Sequence, residues 1–197
     1  MESKSTEAAP MGEKRTFTQQ EKKGLQIRDI LLIGILLAAG IILKFFVGSI
    51  FNLGGFKPNF IIAMYCLGIL LIKPRVYEAA IIGILAGAIS QFFPGQPYIN
   101  FASELLGAVA MCLLVKIPTE RFFKIQVKPI VATFLTTLVS GFAFIGIMYL
   151  LYYAHTNILV TKPTPLAIFL AIIFGTAVFN AILVQILYIP LKLALKK

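Results

Sequence analysis

The chain has 197 residues, of which 59% are hydrophobic and 13% charged, and its mean hydropathy is +0.91. A soluble domain of that size cannot hide so much apolar surface, so the expected class is an all-α polytopic protein with the lipid bilayer as its solvent. Lys and Arg exceed Asp and Glu by 18 to 8, but the excess lies in short loops between apolar runs, where it orients membrane segments and speaks against nucleic acid as the partner.

Residues 1–24 are polar and of mixed charge, and read as a disordered cytoplasmic tail before a membrane domain over 25–197. No hydrophobic run opens the chain, so no cleaved signal peptide is expected. Six apolar segments follow, at about 29–47, 58–72, 76–93, 99–117, 130–153 and 165–190. Most have the length a helix needs to cross roughly 30 Å of hydrocarbon at about 1.5 Å per residue. Prolines mark the ends of these runs more than their middles, which keeps most helices unbroken.

In the first segment, Gly34 and Ala38 have small-xxx-small spacing, which admits close approach of a helix from a coupling subunit or from the chain itself. Lys44 lies about a turn from the outer end and either snorkels or meets an anionic group. In the loop "LGGFKPN", Lys57 is a second candidate for an anion, and Asn59 opens the next segment. That second segment is short enough to be re-entrant, and charge decides the question. Six crossings with the N-terminus inside place fifteen Lys/Arg in the cytoplasm against Lys57 and Lys162 outside, with Lys44 inside the first helix. If the second segment failed to cross, the split would become seven inside and ten outside. The positive-inside rule therefore predicts six transmembrane helices with both termini cytoplasmic, in the cell membrane.

The third segment carries Gly83 and Gly87 for close packing, and ends with Ser90 and Gln91 on a similar face. The elbow "FFPGQPY" adds Phe92, Phe93 and Tyr98, either as walls of a site or as an interfacial belt. The fourth segment holds the strongest signal. Asn100, Ser103, Glu104 and Gly107 share one helical face, and Glu104 lies roughly 8 Å below Ile99 at about 1.5 Å per residue. Intramembrane ionisable residues usually face a bundle interior or a wet cavity, so the stripe reads as a pocket open to the outside. The alternative is a carboxyl that only pairs with a neighbouring helix. In the sixth segment Asn180 is polar too, but counting from Pro165 puts it roughly 22 Å down, well below Glu104 unless that helix protrudes or tilts.

Cys66 and Cys112 are each inside an apolar run and His155 falls in a predicted loop, which supports neither a disulfide framework nor a metal centre. No phosphate-binding loop, hydrolase motif or arginine-rich helix occurs, so no catalytic residues, ATP hydrolysis or cofactor are expected of this chain.

The run "GGFKPNFIIAMYCLGILLIKPRVYEAAIIGILAGAISQFFPGQP" resembles the TrpP-like tryptophan transporter family, grouped with the substrate-binding S components of energy-coupling factor (ECF) transporters; "AVFNAILVQILYIPL" is a second likeness. The resemblance implies a six-helix domain that captures a solute from outside, most simply tryptophan, for amino-acid uptake. It also implies a separate transmembrane coupling protein and ATP-binding cassette subunits that hydrolyse ATP. A small-residue motif on the first helix contacts the coupling protein in such systems; Gly34 and Ala38 stand in that place but depart from the usual alanine pair. The resemblance assigns no role to Glu104, which rests on the residues alone. In this reading Glu104 accepts the solute ammonium and Lys44 or Lys57 meets its carboxylate. Phe92, Phe93, Tyr98 or Phe101 stacks on the ring, while Asn100, Gln91, Asn59 and Asn180 complete the site. The rival is a stand-alone proton-coupled transporter of an aromatic or vitamin-like solute, with Glu104 carrying the proton. A non-transporting assembly factor or an intramembrane enzyme stands further off.

Overall fold

The computed structural model describes residues 24–50, 59–93, 96, 98–117, 127–156 and 165–195. Six helices account for nearly all of them: α1 (Ile27–Ile50), α2 (Phe60–Ile72), α3 (Val76–Ser90), α4 (Ile99–Lys116), α5 (Lys128–Tyr153) and α6 (Leu166–Ala194). Among the described residues there is no strand. α1, α4, α5 and α6 are each long and apolar enough to cross a membrane. α2 and α3, with 13 and 15 residues, reach only about 20 Å at about 1.5 Å per residue.

The shortest helix is the central one. Every residue of α2 is buried, and α2 touches all five other helices. α3, α4, α5 and α6 pack one upon the next around it, while α1 lies against α2 and meets α3. Protein surrounds α2 on all sides, so its sequence "FIIAMYCLGILLI" is apolar all round and shows no amphipathic stripe. Beside the apolar core around α2, the bundle buries polar side chains and leaves apolar ones outside. Ser103, Glu104, Thr133, Thr136, Thr137, Ser140, Thr176 and Asn180 are buried, whereas Ile84, Leu106, Leu135, Val178 and Ile182 are exposed. That inversion is what a hydrocarbon solvent selects, and with the four long apolar helices it marks a membrane protein.

Local chemistry sets the ends. Lys73 closes α2 in the left-handed region (φ 53°), its N–H bonded to the Ile69 carbonyl, and Pro74 prevents continuation. α3 stops at Ser90, earlier than the apolar run suggests, because the Gln91 side chain donates to the Gly87 carbonyl (3.0 Å) and accepts from Tyr98 N (3.1 Å), closing the elbow. α6 runs past the expected boundary, carrying Pro190 inside its last turns to Ala194.

Glycines decide two of the closest contacts. A Cβ at Gly83 would stand 2.6 Å from the Glu104 carbonyl oxygen, and one at Gly87 2.7 Å from Phe101 Cα, so α3 and α4 meet backbone to backbone. On α1 the close approach to α2 falls at Gly40, whose Cβ would lie 3.3 Å from Ile61 Cα. Gly34 and Ala38 point the other way. Both are exposed, and a Cβ at Gly34 meets nothing within 4 Å. The small-residue face of α1 therefore takes no part in packing within the described chain.

Candidate functional site

Glu104 is 1% exposed. A carboxylate so deep is tolerated only if donors replace its lost water, and α2 and α5 supply them. Asn59 Nδ2 donates to Oε1 (2.7 Å), while the Tyr65 hydroxyl (3.1 Å) and Ser140 Oγ (3.2 Å) donate to Oε2. α2, α4 and α5 thus converge on one side chain. Asn59 is the N-cap residue of α2, a position where Asn normally bonds the helix's own first amides. Its side chain makes no such cap and turns to Glu104 instead.

The meeting of these donors depends on Gly107, three residues beyond Glu104 on the same face. A Cβ there would overlap the Tyr65 hydroxyl and come within 3.0 Å of Ser140 Cβ. The missing side chain is the space through which both hydroxyls reach the carboxylate.

Beside Glu104 lies a cavity of about 190 Å³, below the roughly 300–1,000 Å³ of drug-sized sites and suited to one small solute. Asn59, Asn100, Ser103, Glu104, Thr137 and Ser140 form its polar side. Phe144, Phe169, Ile172 and Ile173 form its apolar side. Its lining combines hydrogen-bonding groups and one carboxyl with apolar side chains, two of them aromatic rings.

Of the residues singled out from the sequence, Glu104, Asn100 and Asn59 meet here. Asn180 joins them despite its counted depth: its Nδ2 donates to the Asn59 carbonyl (3.2 Å) and to Thr137 Oγ1 (3.5 Å). The count assumed that α4 and α6 start at one level. The hydrogen bond to Asn59, at the start of α2, sets Asn180 at that level instead. Lys44 acts electrostatically on Glu104, and its ammonium stands 4.5 Å from the centre of the Phe93 ring. Phe93 is thereby tied to Lys44 and does not line the cavity. Gln91 is engaged in the elbow, and Tyr98, 69% exposed and with φ 64°, serves as the entry to α4. Phe92 is exposed and Phe101 packs on Gly87, so the cavity's rings are Phe144 and Phe169 rather than those of the elbow. Lys57 lies outside the described residues.

Sequence reasoning missed Tyr65, Thr137, Ser140 and Thr176. A signal for α5 was present: Thr133, Thr136, Thr137 and Ser140 recur at i, i+3, i+4 and i+7 within an apolar run, and all are buried. Among the described residues no group of His, Cys, Asp and Glu could hold a metal ion. A family model described as "Tryptophan transporter TrpP" matches residues 26–196. No curated protein and no solved structure matches the chain.

Proposed function

This chain belongs to the tryptophan transporter TrpP family, and on that premise we propose that it captures tryptophan from outside the cell as the S component of an ECF-type importer. The observation that carries the reading is a cavity lined by Glu104 together with two phenylalanines, Phe144 and Phe169. A tryptophan zwitterion presents an ammonium that needs a carboxylate and an indole that pairs with flat rings. Glu104 accepts the ammonium, Phe144 and Phe169 flank the indole, and Lys44 or Lys57 meets the solute carboxylate. The S-component assignment draws on α1, where Gly34 and Ala38 face outward and leave room for a coupling-protein helix to approach closely. ATP-binding cassette subunits then supply the energy. Six crossings with both termini cytoplasmic complete the proposal, since that arrangement keeps fifteen of the basic residues inside.

The test is a double-variant cycle by calorimetry: the parent and Glu104→Gln, each with tryptophan and with indole-3-propionate, which lacks the amine. A charge-assisted bond is worth roughly 1.5–3 kcal/mol, so tryptophan affinity falls about 10- to 150-fold at about 1.4 kcal/mol per decade, and the amine-free ligand loses little. A coupling energy near zero would remove Glu104 from the ligand. For the partner, Gly34→Leu lowers co-purification with the coupling protein and spares tryptophan binding; unchanged co-purification would reject that contact.

A further inference from the structure

Two amide oxygens at the start of α2 have no partner in the protein. Asn180 is 0% exposed, and its Oδ1 is buried without a hydrogen bond; Asn59 Oδ1 is in the same condition. Turning the amides over does not help. Asn59 Nδ2 is held by the Glu104 carboxylate and Asn180 Nδ2 by a backbone carbonyl, so a flipped amide would set oxygen against oxygen. Both orphan oxygens are therefore fixed by the orientation of their nitrogens.

Their surroundings are rich in acceptors. Glu104 Oε1, bonded to Asn59, and Thr137 Oγ1, bonded to Asn180, are the neighbouring oxygens, and Asn59, Glu104 and Thr137 all open on the cavity. Glu104 is the one charged group among them, with a formal charge of −1; the Lys44 ammonium, 4.5 Å from the centre of the Phe93 ring, is not one of the set. Hard, mostly neutral oxygens around a single carboxylate match a small monovalent cation better than a divalent one, which demands more charge or keeps its water. We infer that Asn59 Oδ1, Asn180 Oδ1, Thr137 Oγ1 and Glu104 Oε1 form a sodium site, reached from the cavity and distinct from the indole wall. Sodium there satisfies both orphan oxygens and ties α2, α4, α5 and α6 at one point. The inference holds for any solute and either energy source.

The purified protein is melted by circular dichroism without tryptophan in sodium, potassium or N-methylglucamine chloride at equal ionic strength, and ²²Na⁺ binding is measured alongside. The midpoint rises about 5–10 °C as sodium reaches about a hundredfold its dissociation constant, less in potassium and not in N-methylglucamine. Thr137→Val and Asn180→Leu abolish the shift and the ²²Na⁺ signal, and Asn180→Asp strengthens both. Thr136→Val keeps them, because that hydroxyl is committed to Met111 Sδ on α4. Should Asn180→Leu fail to fold, Thr137→Val and Asn180→Asp decide. A midpoint indifferent to sodium, or one that tracks pH alone, overturns the site. So does loss of the shift in Thr136→Val, and so does tryptophan displacing sodium competitively, which would give these oxygens to the solute ammonium. Tryptophan binding measured in N-methylglucamine judges the transport proposal separately.

Discussion

Among the described residues two glutamates are buried, and they are held in opposite ways. Glu78, 5% exposed at the start of α3, accepts backbone N–H groups from Leu25 (3.0 Å) and Arg75 (2.7 Å) and the neighbouring Tyr77 hydroxyl (3.3 Å). Glu104 has no backbone donor among the described residues; its three donors there are side chains of other segments. Backbone donors cannot turn away, so Glu78 fastens the entry of α1 to the α2–α3 turn. Hydroxyls rotate, and one of the two, that of Ser140, lines the cavity. One carboxylate is a rivet; the other, on the function proposed above, exchanges a partner. The kind of donor, more than the depth of burial, separates a structural charge from one fit to meet a ligand.

The comparison can be broken most forcefully at Glu78. Glu78→Ala strands two backbone N–H groups at about 1–3 kcal/mol each; the thermal midpoint drops accordingly, while tryptophan affinity of the folded fraction stays within about twofold. A large affinity loss would show that the two ends are coupled and the contrast too simple. A smaller and opposite result is expected at Gly107. Gly107→Ala pushes the Tyr65 hydroxyl and Ser140 off Glu104, so binding weakens about tenfold, or about 1.4 kcal/mol, with a modest loss of stability. Calorimetry and melting on the same preparation separate the two effects; unchanged affinity would mean the hydroxyls do not tune the carboxylate. Ser140→Ala sharpens the picture least, removing one bond of about 0.5–1.5 kcal/mol net, read as a loss of about two- to tenfold in affinity. A Ser140→Ala variant that melts far lower yet binds as the parent would make Glu104 a second rivet.

Much of this was legible in the sequence because the solvent is hydrocarbon. Apolar runs and their prolines mark all six helices, and a carboxylate inside one of them stands out at once. Gly83 and Gly87 were readable as close packing since few other uses exist for glycines four apart in a span. What could not be read was partnership between helices. Tyr65 and Ser140 are ordinary in apolar runs until α2 and α5 are brought against α4. Asn180 was visible, but its level depended on how far α6 overhangs, a tertiary fact. Gly107 was seen as part of a polar stripe; only the approach of Tyr65 gives its empty side a purpose.

The central position of α2 bears on how the protein is made. Its wrapping comes from α1 on one side and from α3 to α6 on the others, and those last four are synthesised after it. When α2 leaves the ribosome, α1 alone is present to shield it, and its remaining flanks must be accommodated by lipid. A segment that waits in lipid cannot display the mixed faces of an ordinary core helix, and apart from Tyr65 and Cys66 this one offers lipid only apolar side chains and Gly68. A chain halted before α6 would leave one flank of α2 uncovered and Asn59 without the Asn180 amide, the very signs by which membrane quality control could mark it for removal.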